Sequence, residues 1–350
     1  MKLLSKINPF RRVLTAAVFG NIGKNNIGPA NGIMDPSQIK RVLISRPNHR
    51  LGNLLLITPL VQEVSQTFPN CTIDIFVKGN MAPIVFENYT NIGQIIKLPK
   101  KHFDELSAYL KGWVSLRKQK YDLAINVEQN SSSGRLSIKL ANSKYKFFGG
   151  MNEEDQSKYD NYGHIAKQPV YNLRNYLAQF GIQSKDKIVP SLLIKLSQTE
   201  LKAAKEKLDL LVPATKKTIG IFTFATGAKC YSVDWWAVFY ERLLKQFPDY
   251  NILEILPVEN VSQLGFKAPS FYSKDIREIT AFFANTAIFI GADSGMMHLA
   301  SAAQIPTLGL FSVTVVDKYK PYNPGSCAIQ TNQTDLEDWM KTIHEVLKNN

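Results

Sequence analysis

The sequence has no long apolar run and no organised set of cysteines. Its apolar runs, such as residues 54–57 and 281–284, fall far short of the ~20 residues that a membrane-spanning helix needs. The three cysteines, Cys71, Cys230 and Cys327, have spacings that match neither a metal site nor a disulfide framework. These absences argue against a spanning or disulfide-stapled protein and favour a reducing, cytoplasmic setting.

Two common nucleotide-binding motifs are also missing. The chain contains no G-x-x-x-x-G-K-[ST], which argues against a P-loop NTPase. The turn at residues 46–53, RPNHRLGN, holds one glycine and no G-x-G-x-x-G, so dinucleotide binding at this turn is unsupported. Internal repeats, low-complexity tracts and heptad runs are absent as well.

Acidic residues are scarce at the amino terminus. Residues 1–50 hold nine lysines and arginines against one acid, Asp35, in a chain of net charge +13. Such a basic balance favours nucleic acid, anionic lipid or phosphorylated substrates as partners, and no nucleic-acid motif supports the first of these. Residues 1–20 combine the charge with apolar residues, which indicates a basic amphipathic segment lying on anionic lipid. A helix packed on the protein itself and a signal peptide are the alternatives.

Strand-like and helical patterns alternate from Arg41 onward, with a break at residues 181–191. This alternation predicts an α/β protein with two Rossmann-like parallel-sheet domains facing a central cleft. We expect a basic segment and connector at residues 1–37, a first domain at 38–185, and a second domain with a carboxyl-terminal helix at 186–350. The predicted strands are residues 42–45, 72–77, 95–98, 123–127, 145–148, 218–224, 252–256, 287–292 and 306–311. Residues 54–68 are predicted as one helix.

Residues 287–314 carry the clearest candidate site. They read as a buried strand, a tight turn, a short helix and a second strand. Ser294 is a good helix N-cap, and Gly295 lets the backbone lie close to a ligand. With Asp293 and His298 they stand at the carboxyl edge of a predicted sheet, where a helix N-terminus attracts anions. The alternative is an ordinary strand–turn–helix in which His298 is a capping residue.

A second turn in the same domain follows the strand predicted at residues 218–224. Thr226 and Lys229 are possible donors to a phosphate group, and the backbone at Gly227 allows that group to approach. An ordinary loop is the alternative. Together with Asp293, this turn places two sets of candidate phosphate contacts on one edge of one domain.

The first domain has its own polar turn at residues 46–53. Arg46 and Arg50 are cations suited to an anionic ligand, and Gly52 permits close backbone approach. His49 titrates near neutrality and is a candidate base. The alternative is that this turn binds no ligand and that Gly52 is needed only for the geometry of the turn.

Two further polar residues follow the strand predicted at residues 123–127. Glu128 is a carboxylate at a sheet edge and a candidate base, although a surface acid is the alternative. Arg135, on the next predicted helix, is a candidate contact for an anionic acceptor, and a solvated arginine is the alternative.

Two stretches resemble glycosyltransferase family 9, the heptosyltransferase family. Residues 46–77 resemble its amino-terminal signature, an R…G-D turn followed by an apolar helix. Residues 290–314, IGADSGMMHLASAAQIPTLGLFSVT, resemble its carboxyl-terminal pattern D-[ST]-G-x-x-H-[LI]-A-[AS]-A followed by P-T. The resemblance covers about residues 40–330. It implies a GT-B fold and inverting, metal-independent transfer of a sugar, typically from ADP-heptose, to a lipopolysaccharide core acceptor.

The resemblance also implies roles for individual residues, with no metal ligand and no cofactor besides the nucleotide-sugar substrate. In the first domain, the cations Arg46, Arg50 and Arg135 are by their own chemistry the candidate acceptor-binding residues. The implied donor-binding residues are Thr226, Gly227, Lys229, Glu259, Asp293, Ser294, Gly295 and His298. Among these, Glu259 would bind the ribose, and the group from Asp293 to His298 would hold the diphosphate and sugar.

One position departs from the family pattern. The G-D aspartate proposed as general base is Asn53 here, and an amide cannot accept the acceptor's proton. Either His49 or Glu128 takes that role, or the acceptor differs, or the protein binds its ligands without efficient turnover. The usual Lys-x-Trp is also altered, because five residues separate Lys229 from Trp235.

The sequence therefore predicts a glycosyltransferase that moves a sugar to a cell-envelope glycolipid. The alternative is a weakly catalytic or non-catalytic nucleotide-sugar-binding homologue, since Asn53 replaces the acid. We expect a cytoplasmic protein whose basic first fifty residues meet the inner face of the cytoplasmic membrane.

Overall fold

The computed structural model describes residue 25 and residues 34–100, 105–184 and 188–349. The predicted amphipathic segment, residues 1–20, lies outside these ranges, as do parts of the two predicted connectors. One sheet precedes the predicted break at residues 181–191 and another follows it. The domain boundaries at residues 37/38 and 185/186 stay predictions.

The first sheet has five parallel strands in the order β3-β2-β1-β4-β5. Its strands are β1 (Arg41–Arg46), β2 (Thr72–Lys78), β3 (Ile92–Leu98), β4 (Lys120–Asn126) and β5 (Asn142–Phe147). The second sheet has six parallel strands in the order β11-β10-β9-β6-β7-β8. Its strands are β6 (Lys217–Phe222), β7 (Tyr250–Ile255), β8 (Ser270–Phe271), β9 (Ile288–Ala292), β10 (Thr307–Phe311) and β11 (Cys327–Gln330).

Helices connect these strands, as parallel sheets require. In the first domain they are α1 (Leu51–Leu55), α2 (Thr58–Thr67), α3 (Ala82–Val85), α4 (Leu106–Lys118), α5 (Ser132–Leu140), α6 (Glu153–Gln156) and α7 (Gln168–Ala178). In the second they are α8 (Gln198–Leu211), α9 (Val233–Gln246), α10 (Ile276–Ala284), α11 (Gly295–Ala302), α12 (Val316–Tyr319) and α13 (Leu336–Lys348). Within the described ranges, no helix has the length and apolar content needed to cross a bilayer.

The helix predicted at residues 54–68 is two helices, which corrects that expectation. Pro59 lies in the first turn of α2, and Ile57 is the N-cap of that helix. A proline has no N–H to continue the preceding helix, whereas its fixed φ suits the start of a new one. The apolar spacing continues across the break because both helices contribute buried residues to one apolar cluster.

The apolar core runs through both domains. One face of the second sheet packs against α9 and α13, with Trp236, Phe239 and Ile343 fully buried. The largest cluster, in contrast, contains residues of both domains, including Leu55 of α1 and Met297 of α11. The two domains therefore share buried apolar surface beside the cleft.

Each sheet has one point at which the strand order reverses. In the first sheet β1 lies between β2 and β4, and in the second β6 lies between β7 and β9. Ligands of open parallel sheets bind outside the carboxyl ends of the strands at such a point. The turns that follow β1, β6 and β9 carry most of the predicted site residues.

Candidate functional site

The wall of the cleft in the second domain is built by two neighbouring strands. β6 and β9 pair in parallel, with Phe222 opposite Gly291, so the turns that follow them lie side by side. Lys229 Nζ consequently lies 3.3 Å from Asp293 Oδ2. The Asp293 side chain is largely buried, whereas that of Lys229 is partly exposed to the cleft. This pair directs a lysine toward the cleft at the point where the strand order reverses.

The N-terminus of α11 lies beside this pair. Ser294 is its N-cap, as expected, and its Oγ accepts a hydrogen bond from the Met297 N–H at 3.4 Å. The first N–H groups of a helix have no partner inside the helix. With the positive end of the helix dipole, they form a ready site for a phosphate.

His298 lies in the first turns of α11 and is buried. Burial lowers its pKa to about 4, and the nearby cation Lys229 and His164 act in the same direction while Asp293 opposes them. The ring is therefore neutral at neutral pH. It can offer one N–H to a ligand but no positive charge.

Cations line the first-domain wall of the cleft. Lys100 and His49 both lie beside Gly79, in the turn after β2. A β-carbon added to Gly79 would be 3.0 Å from Lys100 Cε and 3.4 Å from His49 Cβ. Burial lowers the pKa of His49, and the charges of Lys78, Lys100 and Arg50 lower it further. His49 is consequently a neutral imidazole at neutral pH, which is the state that accepts a proton.

The two walls meet where α1 faces α11. A β-carbon on Gly52 would lie 3.2 Å from His298 Cδ2 and 3.5 Å from Gly295 Cα. Between the walls is a cavity of about 860 Å³, a size typical of small-molecule sites. The predicted residues that line it are His49, Arg50, Gly52, Asn53, Thr226, Lys229, Glu259, Asp293, Ser294, Gly295 and His298. The structure thus brings most of the predicted site residues together.

Arg46 and Glu128 lie behind this cavity. Arg46 Nη1 is 3.0 Å from Glu128 Oε2, and with Asn53 they line a much smaller pocket. Asn53 borders both spaces. The Glu128 carboxylate is thus engaged by a cation and does not line the main cavity, which makes His49 the better-placed base of the two candidates.

The placement of Arg135 corrects one expectation. Its side chain is buried within the first domain, and its Nη1 donates to the carbonyl oxygens of Gln129 at 3.3 Å and Phe148 at 3.5 Å. The guanidinium also lies 5.3 Å from the centre of the Phe148 ring. Arg135 therefore ties the turn after β4 to the chain after β5 and does not reach an acceptor in the cleft.

Sequence reasoning missed a buried carboxylate beneath the cleft. Glu254 of β7 accepts hydrogen bonds from the hydroxyls of Thr223 and, at 2.6 Å, Ser262. Burial raises the pKa of this carboxyl group. Ser262 Oγ in turn accepts from the backbone N–H groups of Leu264 and Phe266. These bonds hold the loop that carries Glu259, and the acid inside the apolar run NILEIL was the available signal.

The comparisons with known sequences agree with the resemblance noted above. Residues 273–345 match the family model for glycosyltransferase family 9 (heptosyltransferase). The chain is also 23% identical over 294 residues to lipopolysaccharide heptosyltransferase 3 of Escherichia coli, covering 78% of this chain and 84% of that protein. The expected resemblance to the family is confirmed.

Solved structures match the whole architecture. A family 9 glycosyl transferase from Veillonella parvula superimposes with a TM-score of 0.72 at 17% identity, covering 91% of this chain and 99% of that one. The E. coli heptosyltransferase WaaC with ADP gives a TM-score of 0.64 at 14% identity, covering 87% and 99%. These matches confirm the GT-B fold.

Proposed function

We propose that this chain is a glycosyltransferase of family 9 that transfers a heptose from an ADP-linked donor to a lipopolysaccharide or related glycolipid acceptor. The observation that carries the proposal is the cavity between the two sheets, with a helix N-terminus and the Lys229–Asp293 pair on one wall. The names of its relatives support the sugar, the nucleotide and the acceptor. The acceptor is membrane-bound, so the enzyme would act at the inner face of the cytoplasmic membrane.

The donor would bind the second-domain wall. Its diphosphate would accept hydrogen bonds from the first N–H groups of α11 and from Lys229. Thr226 lies in the same turn as Lys229 and lines the same cavity. The nucleoside would extend toward the loop after β7, where Glu259 is exposed at the cavity. Neutral His298 would donate a hydrogen bond without adding charge.

The acceptor would approach from the first-domain wall. In the reaction its hydroxyl oxygen forms a bond to the anomeric carbon, and the bond from that carbon to the diphosphate oxygen breaks. His49 takes the hydroxyl proton, because its lowered pKa keeps it neutral. The nucleoside diphosphate departs with the bonding pair, stabilised by Lys229 and the helix N-terminus. Asn53, an amide, would orient the acceptor by hydrogen bonding.

A second candidate function is nucleotide-sugar binding with weak turnover. Asn53 favours it, because the family pattern has an acid at that position. Asn53→Asp separates the two possibilities. A large gain in turnover would favour the weakly catalytic homologue, whereas a loss would show that the amide belongs to a working site.

The donor site is tested by thermal unfolding with ADP, UDP, GDP, dTDP and ADP-heptose. A ligand at 100 times its dissociation constant stabilises by about 2.7 kcal/mol, which raises the melting temperature by roughly 2–4 °C per kcal/mol. We expect a selective shift with the ADP compounds. Lys229→Met should abolish most of the shift, and Lys245→Met, at an exposed position on α9, should not. No shift with any nucleotide would overturn the proposed donor site.

A further inference from the structure

Helix α4 exposes an apolar stripe to solvent. Leu106, Leu110 and Val114 are 56%, 55% and 52% exposed. Residues spaced by four lie one above the other on the same face of a helix. Exposed apolar side chains are ordinary when scattered, but an aligned set on one face marks an interaction surface. We call these three residues the α4 stripe.

The charges within helix α4 are all positive. Lys111, Arg117 and Lys118 are exposed on the same helix, and the sequence of the helix, LSAYLKGWVSLRK, contains no acid. Glu105 precedes it as the N-cap. Helices α8 and α9 also expose apolar residues but differ in this respect, since both carry carboxylates. The combination of an apolar stripe with flanking cations is typical of helices that lie on anionic membranes.

The opposite side of α4 is anchored to the first domain. Gly112 packs so closely that a β-carbon there would lie 2.8 Å from Leu98 Cδ2. Leu116 is fully buried, and the Trp113 ring meets Phe76 edge-on with centroids 5.2 Å apart. The stripe therefore lies on the solvent side of a helix whose opposite side is fixed to the first sheet.

The stripe also begins next to the cleft. β3 ends at Leu98, and Lys100 lines the main cavity. Leu106 follows six residues later, with residues 101–104 outside the described ranges. The helix thus starts at the carboxyl edge of the first sheet, which is the edge that faces the proposed acceptor.

We propose that the α4 stripe and its three cations dock the first domain onto an anionic lipid surface. The apolar side chains enter the headgroup region, and Lys111, Arg117 and Lys118 contact the lipid phosphates. This inference rests on the proposed function in one respect: docking would bring the cleft to a glycolipid acceptor. Docking itself needs neither donor nor acceptor, so a failure of the docking test leaves the nucleotide test unaffected.

The test is co-sedimentation of the full chain with vesicles of phosphatidylcholine, with and without phosphatidylglycerol. We expect binding to the anionic vesicles only. The variant Leu106→Ser/Leu110→Ser/Val114→Ser should bind at least about tenfold more weakly, because three apolar side chains no longer enter the lipid. Its matched control is Leu210→Ser/Val238→Ser, two exposed apolar positions on α8 and α9, which should bind like the unaltered protein.

The charges are tested separately. Arg117→Gln/Lys118→Gln should weaken binding to anionic vesicles by about tenfold or more, and Lys202→Gln, at an exposed position on α8, should not. All these positions are exposed, so thermal unfolding should show that the variants fold. If the triple variant fails to fold, the single variant Leu110→Glu replaces it in the vesicle assay. Equal vesicle binding by the stripe variants and the unaltered protein would overturn the proposal. So would absence of vesicle binding, or self-association that the stripe variants abolish.

Discussion

Gly52 of the first domain faces His298 of the second so closely that a single added methyl group would meet the imidazole at 3.2 Å. His298 is buried, and its ring is therefore held in place by its surroundings. The contact joins the helix that carries Asn53 to the helix that would bind the donor diphosphate. It sets the distance between the two halves of the proposed site.

Replacing Gly52 should separate stability from activity. Gly52→Ala removes a flexible residue from α1, which favours folding by roughly 0.5–1 kcal/mol, whereas the contact with the buried His298 ring opposes this gain, so the melting temperature should change little. The added methyl group would push the two walls apart by a few tenths of an ångström. We expect turnover to fall by about tenfold, since catalytic geometry tolerates little displacement. Gly163→Ala, where a β-carbon meets nothing within 4 Å, is the control. Unchanged turnover in Gly52→Ala would show that this contact does not set the geometry.

The acidic limb of the pH–rate profile should report His49. Burial and the charges of Lys78, Lys100 and Arg50 lower its pKa below 6.5, so the ring stays neutral until the pH falls through that lowered value. The rate should decline only there, because protonated histidine cannot act as a base. Lys78→Met or Lys100→Met should move the decline to higher pH, and exposed Lys97→Met should not. His49→Gln should cost about 10²–10⁴ in turnover. If none of these substitutions moves the acidic limb of the profile, a residue other than His49 is the base.

Stability should fall between about pH 6.5 and pH 4 because of His164. Its Nε2 lies 2.8 Å from the carbonyl oxygen of Lys320 and its Nδ1 accepts from the Ala166 N–H, so the buried ring is neutral. Burial lowers its pKa to about 4, with Lys167 and Lys320 acting in the same direction and Asp317 opposing them. In this window the unfolded chain binds a proton that the folded one does not, so stability is lost as the pH falls.

The loss can be measured by denaturant unfolding at pH 7 and pH 5. His164 should account for about 2 kcal/mol of the difference, and buried His298 adds to it in the same window. His164→Gln should show a smaller difference between the two pH values than the unaltered protein. His344→Gln, exposed on α13, should show the same difference as the unaltered protein. An equal pH dependence in His164→Gln would contradict the prediction.

Glu254 should control donor affinity without touching the donor. Glu254→Ala leaves the hydroxyls of Thr223 and Ser262 without their acceptor and should lower the free energy of unfolding by about 2–4 kcal/mol. The loop that carries Glu259 loses its anchor, so the KM for the donor should rise more than kcat falls. Glu254→Gln keeps one acceptor oxygen, so its stability and its donor KM should lie between those of Glu254→Ala and those of the unaltered protein. Exposed Glu241→Ala on α9 is the control, and an unchanged donor KM in Glu254→Ala would leave Glu254 a purely structural role.

The sequence predicted best those features that local chemistry decides. The strand expected at residues 287–292 differs from β9 by one residue at its start, because an unbroken apolar run ends directly before Asp293. Ser294 caps α11 as expected. The cluster from Asp293 to Gly295 lies at a sheet edge because a wholly buried strand ends directly before it.

Features that depend on distant parts of the chain were not predictable in the same way. β8 has two residues and β11 has four, which are too few to show an apolar pattern typical of a strand. They are strands only because they pair with their neighbours in the sheet. Lys229 meets Asp293 because β6 pairs with β9. Arg135 stands on the expected helix, yet its side chain turns inward to carbonyl groups that no spacing in the sequence indicates.

The apolar cluster that includes both Leu55 and Met297 limits how this enzyme can be re-engineered. Exchanging one half for that of a relative with a different donor would set mismatched side chains against each other at this shared surface. A chimaera should therefore lose cooperativity in unfolding before it gains a new specificity. Productive exchanges would have to be confined to the turns that border the cavity and would have to leave the contact between Gly52 and His298 unaltered.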